Sequence, residues 1–232
     1  MSAKRTSDSP PPDRVLDCAG QIVSLIRSGQ IVLHRRIGES SLAETLQVSR
    51  AIVRSALEHL EMAGLVARVP RSGTFLREIS VSEFCDVMDI RAALETLAAR
   101  QAAVRAHDRD FKGLNALAKQ VDILNRRFAG GDEKAVLELA HKDLEFHLAI
   151  ARISGNGRLA TTLKQQRLIE FTFAMAQHTI LYRELKDRPV PTHAEIVESI
   201  RERDPVKAEE VMRCHILRTK EARLGVFTGE IA

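Results

Sequence analysis

Apolar side chains recur at helical spacing along most of the chain, and the spacing changes to alternation in one region. Residues 13 to about 28 follow a period of three to four, and two further helical stretches, ESSLAETLQ and SRAIVRSALEHLEMAG, come next. The stretch LVARVPRSGTFLREI then alternates apolar and polar residues around Pro-Arg-Ser-Gly, which is typical of a two-stranded hairpin. Three helices and a hairpin with basic residues at its tip predict a winged helix-turn-helix.

From about residue 82 every segment has the period of a helix. Six helices are predicted, at about 82–105, 109–129, 132–152, 158–186, 191–203 and 205–223, with breaks at SGNG (154–157) and DRPVP (187–191). The predicted fold class is therefore mainly α, with an N-terminal winged helix-turn-helix and a C-terminal antiparallel helical bundle. The expected domains are a disordered arm over 1–12, a DNA-binding domain over 13–79 and an all-α domain over 80–232.

The second helix of the predicted motif carries residues suited to DNA. Its packing side is assigned mostly to Ala51, Val53, Ala56, Leu57 and Leu60. Ser49, Arg50 and Arg54 then lie near its exposed N-terminal end, where two arginines one turn apart can clamp phosphates or read guanine. On an isolated helix such arginines are more often solvated charges, but the adjoining hairpin and the positive charge balance favour DNA contact. For Arg68 and Arg71 in the hairpin, phosphate contact and ordinary surface charge remain equally open.

Charge and composition agree with this interpretation. The net charge is +4, and residues 1–80 hold 11 Lys and Arg against 8 Asp and Glu, so the basic excess lies at the N-terminal end. The three cysteines are far apart and odd in number, which argues against a disulfide framework and for a reducing compartment. Because no long apolar run or signal-peptide core is present, we expect a cytoplasmic protein without a membrane span.

Polar residues interrupt the apolar stripe of the third bundle helix. The stripe consists of Val136, Ala140, Asp143, His147 and Ile150, at steps of four and three. An acid and an imidazole one turn apart therefore point into the core. Burying an unpaired carboxylate costs several kcal/mol, so a partner is expected.

Two more histidines point inward on the last two helices. His193 shares a face with Ile196 and Ile200. His215 aligns with Ala208, with Val211 or Met212, and with Thr219. Both histidines are 11 residues from Asp204 in the short turn between the helices, so an antiparallel hairpin places them at one level. A single histidine on a helix face is more often a core or surface residue with ordinary hydrogen-bond partners than a metal ligand.

Together the inward groups point to a metal. If the third helix crosses at that level, Asp143, His147, His193 and His215 converge on one point, which is the donor set of a divalent metal site. Zn²⁺, Ni²⁺ and Mn²⁺ are all compatible with it. Six other residues are not assigned to the site, because nothing in the sequence directs them to the same point: His34, His59, His107, His141, His178 and Cys214.

A further charge lies on the inward stripe of the first bundle helix. Arg91 needs a counter-charge there, and Glu95, one turn on, could supply it in a structural salt bridge. Alternatively, Arg91 binds the carboxylate of a small ligand. Asn156 at the SGNG break could also face a ligand cavity, although a simple turn role suits it better.

These stretches resemble a known family. LAETLQVSRAIVRSALEHLEMAGLV and SGTF resemble the DNA-binding domain of the GntR family of bacterial transcription regulators. DIRAALETLAAR, DLEFHLAIARISGN, HAEIVESIRERDPVKAEEVM and CHI resemble the FCD-type ligand-binding domain of its FadR-like branch. The resemblance implies a homodimer that binds a palindromic operator in double-stranded DNA and responds to a small organic acid.

The resemblance also implies roles for single residues. Those that match DNA-approaching positions of the family are Ser49, Arg50, Arg54 and Gly73. Those that match its metal ligands are Asp143, His147, His193 and His215, and those that match residues of the ligand cavity are Arg91 and Asn156.

The expected function is a DNA-binding regulator, a repressor, whose operator affinity is controlled by a small organic acid at the metal site. The alternative is a metal-sensing regulator, in which the ion is the signal. A metal-dependent hydrolase is less favoured, because no separate inward residue is placed as a general base and an enzyme needs no winged helix. We therefore expect no enzymatic activity.

Overall fold

The structure, a computed structural model, describes residues 11–78, 80–129, 132, 135–176 and 192–228. The chain divides into two compact units, one ending at Arg77 and the other beginning at Glu78. Both units are mainly helical, and the two strands lie in the first unit, which confirms the predicted fold class. Within the described ranges, no helix combines the length and apolarity that crossing a membrane requires.

The first unit contains three helices and a two-stranded antiparallel sheet. They are α1 (Pro12–Arg27), α2 (Glu39–Leu46), α3 (Arg50–Met62), β1 (Val66–Val69) and β2 (Gly73–Leu76). α3 packs against both α1 and α2, so its buried face forms the centre of the unit. The predicted hairpin is present, and the backbone N–H of Ile37 donates to Thr74 O on its second strand.

The turn between α2 and α3 positions the N-terminus of α3. Gln47 adopts a left-handed conformation, φ 54°, which reverses the chain. Ser49 caps α3, because its Oγ accepts a hydrogen bond from Ile52 N at 3.3 Å. The cap fixes where α3 begins.

One assignment on α3 was wrong. Ala51, placed on the packing side by the sequence, is exposed, whereas Ile52 is buried with Val53. Ala51 is two positions from Val53, and two steps of about 100° turn a side chain to nearly the opposite side of the helix.

The second unit is a helical bundle. Its described helices are α4 (Val81–Arg105), α5 (Asp108–Ala129), α6 (Ala135–Ile153), α7 (Gly157–Ala176), α8 (His193–Arg201) and α9 (Pro205–Thr228). α4 packs against α6, α7, α8 and α9, while α5 packs against α6 and α8. The predicted break at 187–191 and the last part of the helix predicted over 158–186 lie outside the described residues.

Side-chain caps begin both α8 and α9, and the cap of α9 lies in the turn between them. Thr192 and Glu195 form a capping box before α8. Asp204 Oδ1 accepts hydrogen bonds from Val206 N at 3.0 Å and Lys207 N at 3.1 Å, and so caps α9. Only three residues separate the two helices, so their register is set locally.

Candidate metal centre and DNA-facing surface

Four potential metal ligands from three helices meet in the core of the second unit. Asp143 and His147 come from α6, His193 begins α8, and His215 lies on α9. One ligand atom from each residue lies within 4.8 Å of the others. The three imidazoles are buried, and Asp143 is partly exposed. The structure thus brings together the four residues that the sequence selected.

The helical hairpin produces this meeting as the spacing predicted. The ring centroids of His193 and His215 are 4.9 Å apart. α6 contributes its two residues from one face, and the rings of His147 and His215 are 5.3 Å apart. Phe146 stands edge-on to His193 at 4.8 Å and forms an apolar wall beside the cluster. The side chain of Val136, from the same predicted stripe, is outside the described part.

Asp143 is the shared anionic neighbour of two histidines. Its Oδ1 atom lies 2.9 Å from His193 Nε2 and 3.6 Å from His147 Nε2. The first distance is that of a hydrogen bond, while the second exceeds one. The carboxylate therefore faces both rings from one side.

Two further carboxylates hold the opposite nitrogens of these rings. Glu95 Oε2, from α4, is in ion-pair contact with His147 Nδ1, though not in the alignment of a regular hydrogen bond. Asp122 Oδ1, from α5, lies 3.8 Å from His193 Nδ1. Metal-bound histidines commonly have a carboxylate on the far nitrogen, which fixes the ring.

The sequence analysis missed Asp122 and considered Glu95 only as a partner of Arg91. A signal existed for each: Glu95 follows Arg91 at a helical step, and Asp122 follows the buried Ala118 at the same step.

The electrostatics of the cluster favour a cation. Burial opposes a positive charge on His193, but hydrogen bonding and the negative charges of Asp122 and Asp143 outweigh it and raise the pKa of the imidazole. With neutral imidazoles, the carboxylates of Asp122, Asp143 and Glu95 exceed the one guanidinium of Arg91 by two charges. A divalent ion would balance this excess.

The donor set fits such an ion. His147 Nε2 is fully buried and has no hydrogen-bond partner among the described residues. A buried polar nitrogen without a partner is costly, and a lone pair aimed at Asp143 and two other imidazoles is what a metal ligand presents. Three nitrogens and a carboxylate oxygen suit Zn²⁺, Ni²⁺ or Mn²⁺.

Arg91 and Asn156 both have local structural partners. Arg91 is buried, and its Nε donates to Glu95 Oε1 at 2.7 Å, which is the salt bridge that the sequence offered as one alternative. Asn156 Oδ1 accepts from Leu159 N at 3.1 Å and so caps α7. These contacts do not test a ligand role, which stays a prediction for both residues. Of the unassigned histidines, His141 pairs with Glu145 at 2.9 Å, and His178 lies outside the described residues.

The N-terminal end of α3 presents the residues predicted to meet DNA. Arg50, the first residue of the helix, is exposed. Arg54, one turn on, is also exposed, and its Nη2 pairs with Glu39 Oε2 of α2 at 3.1 Å. Exposed ion pairs are weak, so this pair leaves Arg54 available to a phosphate.

The hairpin residues differ in their surroundings. Arg68 lies against α3, with its guanidinium 3.3 Å from Glu58 and 3.4 Å from Glu61. Arg71 is exposed in the turn with a φ of 65°. At Gly73, φ is 118°, and a Cβ atom would lie 2.5 Å from Arg36 Nε. Only glycine fits there without strain. Their contact with DNA stays a prediction.

Comparisons with known proteins extend over both units. Residues 16–76 match the family described as bacterial regulatory proteins, gntR family, and residues 86–218 match the FCD domain. YcbG of Bacillus subtilis, an uncharacterized HTH-type transcriptional regulator, is 29% identical over 209 residues, which cover 84% of each chain.

Two further proteins illustrate the range of similarity. A probable D-xylose utilization operon transcriptional repressor of Paenarthrobacter nicotinovorans is 27% identical over 84% of this chain and 82% of its own. The solved structure of Escherichia coli McbR/YncC matches 94% of this chain and 99% of its own with a TM-score of 0.72. Its 17% sequence identity shows a common fold alone.

Proposed function

The chain belongs to the GntR family of bacterial transcription regulators and carries an FCD domain, and we propose that it is a repressor controlled by a small organic acid bound at a metal. Its family and relatives are transcription regulators and not enzymes, so the hydrolase alternative is discarded. We assign DNA binding to residues 13–79 and effector binding to residues 80–232. Such a regulator would act in the cytoplasm, where the operator is.

The convergence of four ligand atoms within 4.8 Å carries the proposal. Asp143, His147, His193 and His215 would hold the divalent ion, and the unpartnered Nε2 of His147 supports this role. Such an ion, when bound, offers further coordination positions to a carboxylate or hydroxycarboxylate. Glu95 and Asp122 keep the rings of His147 and His193 turned toward the cluster, while Phe146 excludes water from one side.

Arg91 and Asn156 are proposed to line the effector cavity. Arg91, whose Nε donates to Glu95 and whose Nη1 donates to Met88 Sδ, would also attract the anion through the charge of its guanidinium. Asn156 gives its carbonyl oxygen to the cap of α7, so its amide group would serve the effector.

Two copies would read a palindromic operator, each placing one α3 in the major groove of a half-site. Ser49, Arg50 and Arg54 at the start of α3, with Arg68, Arg71 and Gly73 of the hairpin, would lie nearest the DNA. The effector would bind more tightly to the conformation of the bundle that does not bind DNA. It would then lower operator affinity by the difference between its affinities for the two conformations. The repressor from Paenarthrobacter nicotinovorans supports the direction.

The test begins with an operator selected from genomic fragments by the purified protein. Fluorescence anisotropy on this DNA is then measured with a panel of carboxylates and hydroxycarboxylates, before and after chelation, and after return of Zn²⁺, Ni²⁺ or Mn²⁺. We expect one class of acid to release DNA from the metal-loaded protein and not from the chelated one. Steep weakening of binding by salt is expected for operator contacts.

Each other outcome has a definite meaning. Release of DNA by metal alone would identify a metal sensor. Release by an acid after complete chelation would remove the metal from effector binding. An operator affinity that stays the same with every acid tested would contradict control by an organic acid.

A further inference from the structure

Arg14 lies at the start of α1, on the side of the helix that packs into the first unit. It is the third residue of the helix and precedes the buried Cys18 by one turn. Ile22, four residues further on, is fully buried on the same side. Arg14 itself is exposed. The inward stripe of α1 therefore ends in a guanidinium that solvent can reach.

This guanidinium borders a groove that reaches the start of α3. The groove has a volume of about 560 Å³, and its lining includes Arg14, Ser40 and Glu44 of α2, and Ser49 and Arg50. We call it the α1/α3 groove. A residue of α1 thus shares one concave surface with two of the residues predicted to meet DNA.

The α1/α3 groove carries an excess of positive charge. Arg14 and Arg50 contribute two guanidinium groups and Glu44 contributes one carboxylate, so one positive charge is left over. Arg14 has no ion pair with another of the described residues, although Asp17 follows it by one turn. A phosphodiester group of DNA carries one negative charge and would balance the excess.

Arg14 also occupies a position that the stability of α1 does not favour. The first turn of a helix carries partial positive charge from its unpaired N–H groups, so a cation there is unfavourable. Asp13, the preceding residue, has the charge that such a turn prefers. A guanidinium at this position is better explained by an anion bound nearby than by the stability of α1.

We propose that Arg14 is a further DNA-contact residue, which binds a phosphate of the operator backbone in the α1/α3 groove. The Oγ of Ser49 accepts from Ile52 N, so its own proton can be donated to the same phosphate. In helix-turn-helix proteins the elements beside the recognition helix contact the backbone, while that helix reads the bases. Arg14 therefore adds affinity and positions α3 without selecting sequence. The inference rests on the DNA binding of the proposed function and extends it to α1.

Replacement of Arg14 by Gln removes the charge and keeps a polar side chain. Fluorescence anisotropy of the full-length, metal-loaded protein is measured on the operator and on a random duplex of the same length, at several salt concentrations. We expect Arg14→Gln to weaken both complexes about tenfold at low salt, because a charge-assisted contact is lost. The slope of log affinity against log salt should fall by about one for each protomer in contact.

Two further variants separate the effect of charge from an effect on folding. Arg14→Lys keeps the positive charge and should keep most of the salt slope. Arg126→Gln removes an exposed arginine from α5 of the second unit and should change neither affinity nor slope. Circular dichroism checks folding, and Arg14→Gln should be as stable as the wild type or slightly more stable, because a cation leaves the first turn of α1.

The outcomes distinguish Arg14 from the rest of the DNA-binding surface. Wild-type affinity and slope in Arg14→Gln, beside a weakened Arg50→Ala, would overturn the assignment of Arg14 and leave DNA binding standing. Weaker binding to the operator with unchanged binding to the random duplex would show a base contact and also contradict the phosphate contact. A wild type that binds neither duplex at any salt concentration would instead contradict the DNA binding of the proposed function.

Discussion

Glu95 and His147 are in direct contact in the core of the second unit, through the Oε2 atom of the acid and the Nδ1 atom of the imidazole. Both side chains are buried. Since one ring nitrogen is occupied by Glu95, the other faces Asp143 and the cluster. The contact thereby selects the nitrogen that is available to a metal.

Replacement of Glu95 by Gln should lower metal affinity about 10- to 100-fold, because the amide cannot hold the ring through a negative charge. Competition with a chromophoric chelator measures the affinity. Glu198→Gln, on the exposed side of α8, should leave it unchanged. Because Glu95→Gln also leaves Arg91 without its carboxylate, an Arg91→Met/Glu95→Gln variant is measured beside it. Wild-type metal affinity in both variants would show that Glu95 does not position His147.

The His193→Ala variant should lose most of its metal while keeping its operator affinity in the absence of effector. His193 supplies one of the clustered ligand atoms, whereas Arg50 and its neighbours belong to the other compact unit. Elemental analysis and DNA anisotropy measure the two properties. His141→Ala is the matched control, because His141 pairs with Glu145 outside the cluster. Loss of folding in His193→Ala would show that the site is structural.

Arg50→Ala should weaken operator binding by about 1–3 kcal/mol. Arg50 is exposed at the first position of α3, where its side chain can reach a base or a phosphate. A phosphate contact would also reduce the slope of binding against salt by about one. Arg158→Ala removes an exposed arginine from the second unit and should change neither quantity. Equal affinities of the two variants would exclude Arg50 from the DNA contact.

Gly73→Ala should destabilise the first unit by about 1–3 kcal/mol, because the residue is held at a φ that non-glycine residues adopt with strain. The added Cβ also meets Arg36. Gly20→Ala is the control: nothing lies within 4 Å of its Cβ in α1, so about 0.4–1 kcal/mol of stabilisation is expected. Denaturant unfolding measures both. A Gly73→Ala protein as stable as the wild type would show that the hairpin relaxes freely.

The cluster of potential metal ligands could be predicted because its register is local. His193 and His215 are brought level by a turn of three residues, and Asp143 and His147 by one turn of helix. Asp122 was missed because its place depends on how α5 packs against α8, and helical periodicity gives no such crossing.

Contacts of the DNA-facing surface and of Arg91 also depend on tertiary distances. The pair between Arg54 and Glu39 joins residues 15 apart across the α2–α3 turn. A salt bridge with Glu95 and the binding of a ligand carboxylate both required the guanidinium of Arg91 to point inward. The sequence therefore left both open, and the 2.7 Å contact shows that the salt bridge is present. The assignment of Ala51 was wrong because a continuous apolar run such as Ala51-Ile52-Val53 does not reveal which of two adjacent positions is covered.

α4 has Glu95 on its buried side and Leu97 on its outward side, two residues along the same helix. At 25 residues the helix is about 37 Å long, and its continuous hydrogen bonding makes it behave as one rod. A rotation of the rod that moves Glu95 relative to His147 therefore swings Leu97 through the same angle. Substitutions that shift Glu95 to change how His147 is held will consequently also move the outward surface of α4 around Leu97.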